Sequence, residues 1–175
     1  GILNGADRMH EVVNTMLDVT RIDTETLQVH LAPVLLKRII TDVMRDFEKA
    51  ASERNLKLAF EPEGEIPNLN GDPSLIQKAM NHLIVNAIKY TPNGGSVTVR
   101  TRPVMTEKRG PGVEISVADT GIGLDAEHQE LIFEKFYQVG DVSIHSSGKT
   151  TYKGGGPGLG LAIVRGVARA HGGKV

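Results

Sequence analysis

Five glycines crowd into the seven residues Gly154 to Gly160 and lead into the apolar periodicity of a helix, expected over roughly Gly158 to His171 with Gly172 as its cap. Bare backbone N–H groups at the start of a helix form a cradle for an anion, because no side chain stands between them and a ligand. An isolated run of this kind is more often a structural turn, so its meaning depends on what accompanies it.

Composition narrows the field. A length of 175 residues with 39% hydrophobic side chains predicts one domain with a buried core and a small appendage. Twenty basic and twenty-one acidic residues leave a net charge of −1, which argues against nucleic acid or an acidic membrane surface as partner. The absence of cysteine excludes disulfides, thiolate metal sites and cysteine nucleophiles. No apolar run is long enough to span a bilayer and no signal peptide opens the chain, so a cytoplasmic piece is expected, of a parent that could itself be membrane-anchored.

Periodicity sets the expected order of elements. Residues 1–23 read as a helix whose stripe of Ile2, Met9, Val12, Met16 and Val19 suits a bundle and needs partners this sequence does not supply. Thr26 to Leu31 alternates like a short strand, and Pro33 is expected to open a helix with Leu36, Ile40, Val43, Phe47 and Ala50 on one face. Leu56, Leu58 and Phe60 alternate as a strand. Asp72-Pro73 is an N-cap followed by a first-turn proline, starting a helix to about Tyr90 with Ile76, Met80, Leu83 and Ala87 as its ridge. Val97 and Val99 mark one further strand and Val113, Ile115 and Val117 another, with Gly110-Pro111-Gly112 placed in their connection. A short helix is expected around Ala126 to Phe133, and a mobile loop from Val139 to Gly156. The expected fold class is an α/β two-layer sandwich: a mixed, largely antiparallel sheet with helices on one face, preceded by one bundle helix.

Four stretches carry the chemistry: NHLIVNAIKYTPNGG at 81–95, VADTGIGLD at 117–125, LIFEKFYQ at 131–138 and GGGPGLGLAIVRG at 154–166. In order and spacing they resemble the N box, first glycine box, F box and second glycine box of sensor histidine kinase ATP-binding domains. Those domains belong to the superfamily that also holds gyrase, heat-shock chaperone and mismatch-repair ATPases. The resemblance covers the whole chain and implies the Bergerat-type ATP-binding fold over residues 25–175. RMHEVVNTMLDVTRIDT at 8–24 is similar to the second helix of the family's dimerisation hairpin, which makes 1–24 a partial hairpin segment.

Beside that resemblance, the residues have their own logic. His82, Asn86 and Lys89 are spaced four and three apart, so they share a helix face turned away from the apolar ridge. An asparagine amide oxygen is a hard, neutral ligand suited to magnesium, which otherwise keeps waters and phosphate oxygens. The resemblance implies that Asn86 holds the magnesium, that Lys89 meets a phosphate, and that Tyr90 lies against the adenine. Taken alone, Lys89 is a solvated lysine and Tyr90 an ordinary packing residue. Asp119 ends a strand beside Gly121 and Gly123. A carboxylate there accepts a hydrogen bond from adenine's exocyclic amine and repels guanine's carbonyl oxygen, which favours ATP over GTP. The plain alternative is an Asp-Thr-Gly turn closed by the side chain. By the same resemblance Gly156, Gly158, Gly160 and Leu161 complete the nucleotide set, and His82, Asn86 and Lys89 form the catalytic one. Phe133 and Phe136 are expected to anchor the loop's first end on the core.

Several departures from the family pattern matter. Pro157 stands where a threonine or serine is usual, offering neither N–H nor hydroxyl, which leaves that phosphate contact open. His10-Glu11 begins like a phosphoacceptor motif, but Val12-Val13-Asn14 does not continue it. The phosphoacceptor helix is thus expected to be missing, and so are the closing strands after His171-Gly172-Gly173. The resemblance implies ATP and magnesium as cofactors, a response regulator receiver domain as partner, and a homodimer through the hairpin. His30, His128, His145 and His171 are assigned structural or solvated roles. Two rivals stand: an ATPase of the same superfamily, against which His82 occupies the place of the water-activating glutamate, and a non-catalytic nucleotide-binding switch.

Overall fold

The computed structural model describes residues 2–24, 26–106, 110–139 and 157–175. Along the chain run α1 (Ile2–Asp23), β1 (Ala32–Val34), α2 (Leu36–Glu53), β2 (Lys57–Pro62), β3 (Leu69–Gly71), α3 (Pro73–Tyr90), β4 (Ser96–Thr106) and β5 (Gly110–Asp119). Two single 3-10 turns, Ala126–His128 and Leu131–Phe133, precede α4 (Gly160–Ala170). The main sheet has the order β2-β4-β5, with β2 parallel to β4 and β4 antiparallel to β5, while β1 and β3 pair antiparallel as a separate ribbon. Helices α2 and α3 cover one face of that sheet, giving the expected two-layer sandwich.

Helix α3 forms where the sequence requires it. The Asp72 carboxylate accepts from the N–H groups of Ser74 and Leu75, satisfying donors that the first turn cannot bond itself, and Pro73 gives up an N–H that had no partner. Met80, Ile84, Ala87 and Ile88 are its buried ridge, with Ile76 and Leu83 half-buried beside it. They meet Leu36, Ile40 and Val43 of α2 and Val97 and Val99 of β4. Each fully buried aliphatic side chain of this kind contributes roughly 1.5–3 kcal/mol. On the sheet's other face, Arg100 pairs with Glu61 and Arg102 with Glu114 across neighbouring strands.

The structure corrects several expectations. Thr26 to Leu31 is not a strand: it has no ladder partner, and His30 is held instead by its N–H to the Asp72 carboxylate. Pro33 lies in β1, opposite Asn70, and the helix begins at Leu36; a proline is tolerated in so short a strand at a sheet edge. Gly110-Pro111-Gly112 belongs to β5, not to the connection. Beyond Pro62 and Thr101 the partner β2 has ended, so β4 and β5 continue as a two-stranded ribbon in which Pro103 and Pro111 forfeit no central ladder bond. The segment 126–133 is two turns rather than one helix, and α4 starts at Gly160 because Gly158, at φ +69°, cannot be helical.

Helix α1 is also less isolated than its stripe suggests. Val19 is buried with Leu159, Ile163 and Val167, and Ile22 packs beside them; Asp18 pairs with Lys78 of α3. A Cβ on Gly166 would fall 2.5–2.9 Å from Ile22 side-chain atoms, so this glycine is the socket that admits α1 to α4. Among the described residues of α1, Met9, Val13, Met16 and Leu17 are exposed.

Candidate nucleotide-binding site

Two glycine turns meet helix α3, one at Tyr90 and one at His82. His82, Asn86, Lys89 and Tyr90 are half-buried there, opposite the fully buried Ile84 and Ile88. The Lys89 ammonium lies 4.8 Å from the centroid of the Tyr90 ring, a cation–π contact at the helix end.

The first glycine turn is sutured to that end. Asp119 closes the β4–β5 ladder opposite Val97, the Thr120 N–H bonds the Ser96 carbonyl, and the Ser96 N–H bonds the Thr120 hydroxyl. The Ile122 N–H reaches the Tyr90 carbonyl at 3.3 Å. A Cβ on Gly121 would fall 2.6 Å from that carbonyl oxygen and 2.4 Å from Asp119 Oδ1, so only glycine lets the turn lie this close. Gly123 follows at φ +73°. Asp119 is exposed, and its Oδ1 accepts from the Gly121 N–H at 2.8 Å, which is the side-chain-closed turn of the plain alternative. That bond does not exhaust the carboxylate: among the described residues Oδ2 takes no hydrogen bond, leaving it open to an amine donor.

The second glycine turn meets α3 about two helical turns away, at His82. Gly160, the first residue of α4, lies against His82: a Cβ on it would be 3.0 Å from His82 Nδ1. Leu159 is fully buried beneath and Leu161 half-buried. Among the described residues no side chain caps the α4 N-terminus, so its first N–H groups and the positive end of its dipole suit an anion. Pro157 is exposed at the start of this turn, and Gly156 lies outside the described residues, as does the expected loop from 140 onward.

The F box grips this turn through its backbone. Phe136 adopts φ +62°, unusual for a residue with a Cβ, and its N–H bonds the Gly158 carbonyl at 2.9 Å. Gly158 packs so tightly on Phe136 and Tyr137 that a Cβ would come within 3.0 Å of their backbone. Phe133 is half-buried, but Phe136 is 62% exposed, so the expected ring anchor is at Phe136 a main-chain clasp. Arg165 of α4 adds a tether to Glu134 at 2.8 Å; its hydrogen bond, then its charge, lowers the Glu134 pKa. Tyr137 is held by its hydroxyl on His128 Nδ1 at 2.6 Å.

Sequence reasoning did not find a second set of residues that positions α4. His171 receives the Asp72 N–H on Nε2 at 2.8 Å, and its Nδ1–H points to the Val167 carbonyl at 2.8 Å, which assigns the neutral Nδ1–H tautomer. This joins the end of α4 to the start of α3. Burial raises the Asp72 pKa, but N–H groups of His30, Leu75 and Ser74, with the His30 charge, outweigh it and leave it below the usual range. No sequence signal connects residues 99 positions apart.

Among the described residues no group of three His, Asp or Glu side chains could hold a metal. The Asn86 amide on this face is a hard, neutral oxygen donor of the kind magnesium takes beside water and phosphate oxygens, and not one that suits zinc. A strand-end carboxylate and a glycine-led helix start thus both meet helix α3, an arrangement with an acceptor for an amine at one place and N–H donors for an anion at another. Residues 71–175 match the HATPase_c family, histidine kinase-, DNA gyrase B- and HSP90-like ATPases. The chain belongs to that family and carries its ATP-binding domain.

It is 32% identical over 167 residues to the adaptive-response sensory kinase SasA of Crocosphaera subtropica, covering 95% of this chain and 40% of that protein. Full-length ShkA, solved in complex with AMPPNP, superposes with a TM-score of 0.77 at 26% identity, over 95% of this chain and 32% of that one. Histidine kinase ThkA in complex with the response regulator protein TrrA shares the fold, with a TM-score of 0.67 at 22% identity over 95% of this chain and 44% of that one. The chain spans between 11% and 40% of the length of the first curated relatives it matches.

Proposed function

We propose that residues 25–175 are the ATP-binding catalytic domain of a two-component sensor histidine kinase and that α1 is the second helix of its dimerisation hairpin. The observation that carries the reading is the convergence of both glycine turns on α3: Gly121 on Tyr90 at its end, Gly160 on His82 at its middle. In this reading Asp119 Oδ2 accepts the adenine amine and Tyr90 borders the base. Gly121 and Gly123 let the base approach the backbone. Asn86 supplies the protein's magnesium ligand and Lys89 steadies a phosphate. The N–H groups about Gly156, Gly158, Gly160 and Leu161 cradle the rest of the triphosphate. When bound, magnesium supplies charge neutralisation between phosphate oxygens.

The chain's residues position the γ-phosphorus for a histidine on another hairpin helix. The imidazole nitrogen's lone pair forms the P–N bond, the bond to the β,γ-bridging oxygen breaks, ADP leaves with that electron pair, and the ring's proton passes to solvent. The phosphoryl group then moves to an aspartate of a response regulator receiver domain, the kind of partner present in the ThkA complex. The exposed Met9, Val13, Met16 and Leu17 support a bundle partner for α1, as in a homodimer. No helix among the described residues is long and apolar enough to cross a membrane; the domain is assigned to the cytoplasm, where ATP is available.

Kinase is favoured over ATPase because His82, not a carboxylate, stands one turn before Asn86, and it packs on Gly160. That helix position gives water no carboxylate base. Incubating this chain with γ-labelled ATP should give neither acid-labile label nor brisk phosphate release, and adding the separate hairpin should restore labelling in trans. Stable label on His10, rapid hydrolysis, or no transfer to the hairpin would each overturn the assignment.

A further inference from the structure

Arg54 follows α2 directly, in a segment that none of the four motif stretches includes, yet its guanidinium reaches the C-terminal end of α3. Nη1 donates to the Ile88 carbonyl at 2.6 Å, Nη2 to the Thr91 carbonyl, and Nε to Asn93 Oδ1 at 3.0 Å. Main-chain bonds run alongside: Gly94 N–H to the Arg54 carbonyl and Lys57 N–H to the Gly95 carbonyl. The last carbonyls of a helix lack intrahelical donors and carry its negative dipole end, so a cation is favoured there. Three acceptors in a fork suit a planar guanidinium and not a point-charge ammonium.

The two carbonyls so gripped flank Lys89 and Tyr90. Between them the Tyr90 carbonyl accepts from Ile122 and closes on Gly121, the turn that carries Asp119. We infer that Arg54 is a positioning residue for the nucleotide: by fixing the Ile88–Thr91 carbonyls it sets the Asp119 turn relative to the α3 face. The inference rests on the ATP-site reading. It makes Arg54 a determinant of adenine selectivity although it touches no base.

The test compares wild type with Arg54→Lys and Arg54→Ala. Arg54→Lys keeps a cation at the helix end but loses the fork. In nucleotide-free protein, amide exchange at Gly121 and Ile122 should accelerate about tenfold in Arg54→Lys while core amides of Ile84 and Val99 hold, since the turn opens locally and not globally. In parallel, the ratio of ATP to GTP affinity should fall about tenfold, and free methylguanidinium should restore it in Arg54→Ala. Exchange and selectivity both unchanged in a folded Arg54→Lys overturn the inference. So does a variant that loses all amide protection uniformly, because Arg54 is then only a fold-wide cap. Faster exchange in the turn, in a chain whose wild type binds no ATP, sinks the functional reading and leaves the positioning contact standing without the adenine role.

Discussion

The Tyr90 carbonyl and Gly121 are in such close approach that a Cβ on the glycine would lie 2.6 Å from the oxygen. This contact joins the end of the N-box helix to the carboxylate-bearing turn, and backbone meets backbone there, so no side chain can give way.

Gly121→Ala therefore has to displace both the Tyr90 carbonyl and the Asp119 carboxylate. Overpacking of this kind costs about 1–3 kcal/mol. The expected outcome is a lower melting temperature together with at least tenfold weaker ATP binding, measured by thermal denaturation and titration on the same preparation. Gly123→Ala, with nothing within 4 Å of its Cβ, should cost only the strain of φ +73°.

Asp119→Asn replaces one acceptor with an amide that also donates. Losing the carboxylate's bond to the exocyclic amine should cost about 1–3 kcal/mol of ATP affinity and narrow the gap to GTP. Affinity for both nucleotides within twofold of wild type would remove Asp119 from the base site.

Asn86→Ala should weaken binding of magnesium-ATP more than binding of metal-free ATP. Parallel loss in the two titrations would mean that Asn86 only supports its helix.

The Asp72 cap predicts a pH dependence. Its pKa is held below the ordinary carboxylate value, so its stabilisation is present above that value and is lost as pH falls through the lowered one. Asp72→Ala should cost about 0.5–2 kcal/mol at neutral pH and show a shallower acid limb than wild type in chemical denaturation series from pH 7 to pH 2. An acid limb unchanged by the substitution would show that other carboxylates set it.

Much of this arrangement was legible where local chemistry decides the structure. Asp72-Pro73 announced the start of α3 and Tyr90 its end, and Gly158 and Gly160 stand at the entry to α4. Expectation failed where pairing decides. Thr26 to Leu31 alternates without a ladder, whereas Pro33 and Pro111 sit in strands because those stretches lack a central neighbour. The supports of the site were hidden for the same reason. Arg54 on Ile88, His171 on Asp72 and Arg165 on Glu134 are contacts between segments 31 to 99 residues apart, and no periodicity encodes them. The left-handed backbone of Phe136 follows from Gly158 packing against it, not from its own preference.

The central claim is that α3, the Asp119 turn and the α4 N-terminus form one magnesium-nucleotide site. Calorimetric titration with a non-hydrolysable ATP analogue, with and without magnesium, tests it most directly in wild type and in the Asp119→Asn, Asn86→Ala double variant. The account predicts saturable one-to-one binding that magnesium tightens and that the double variant abolishes. Absence of binding, or metal-indifferent binding that survives both substitutions, would contradict it.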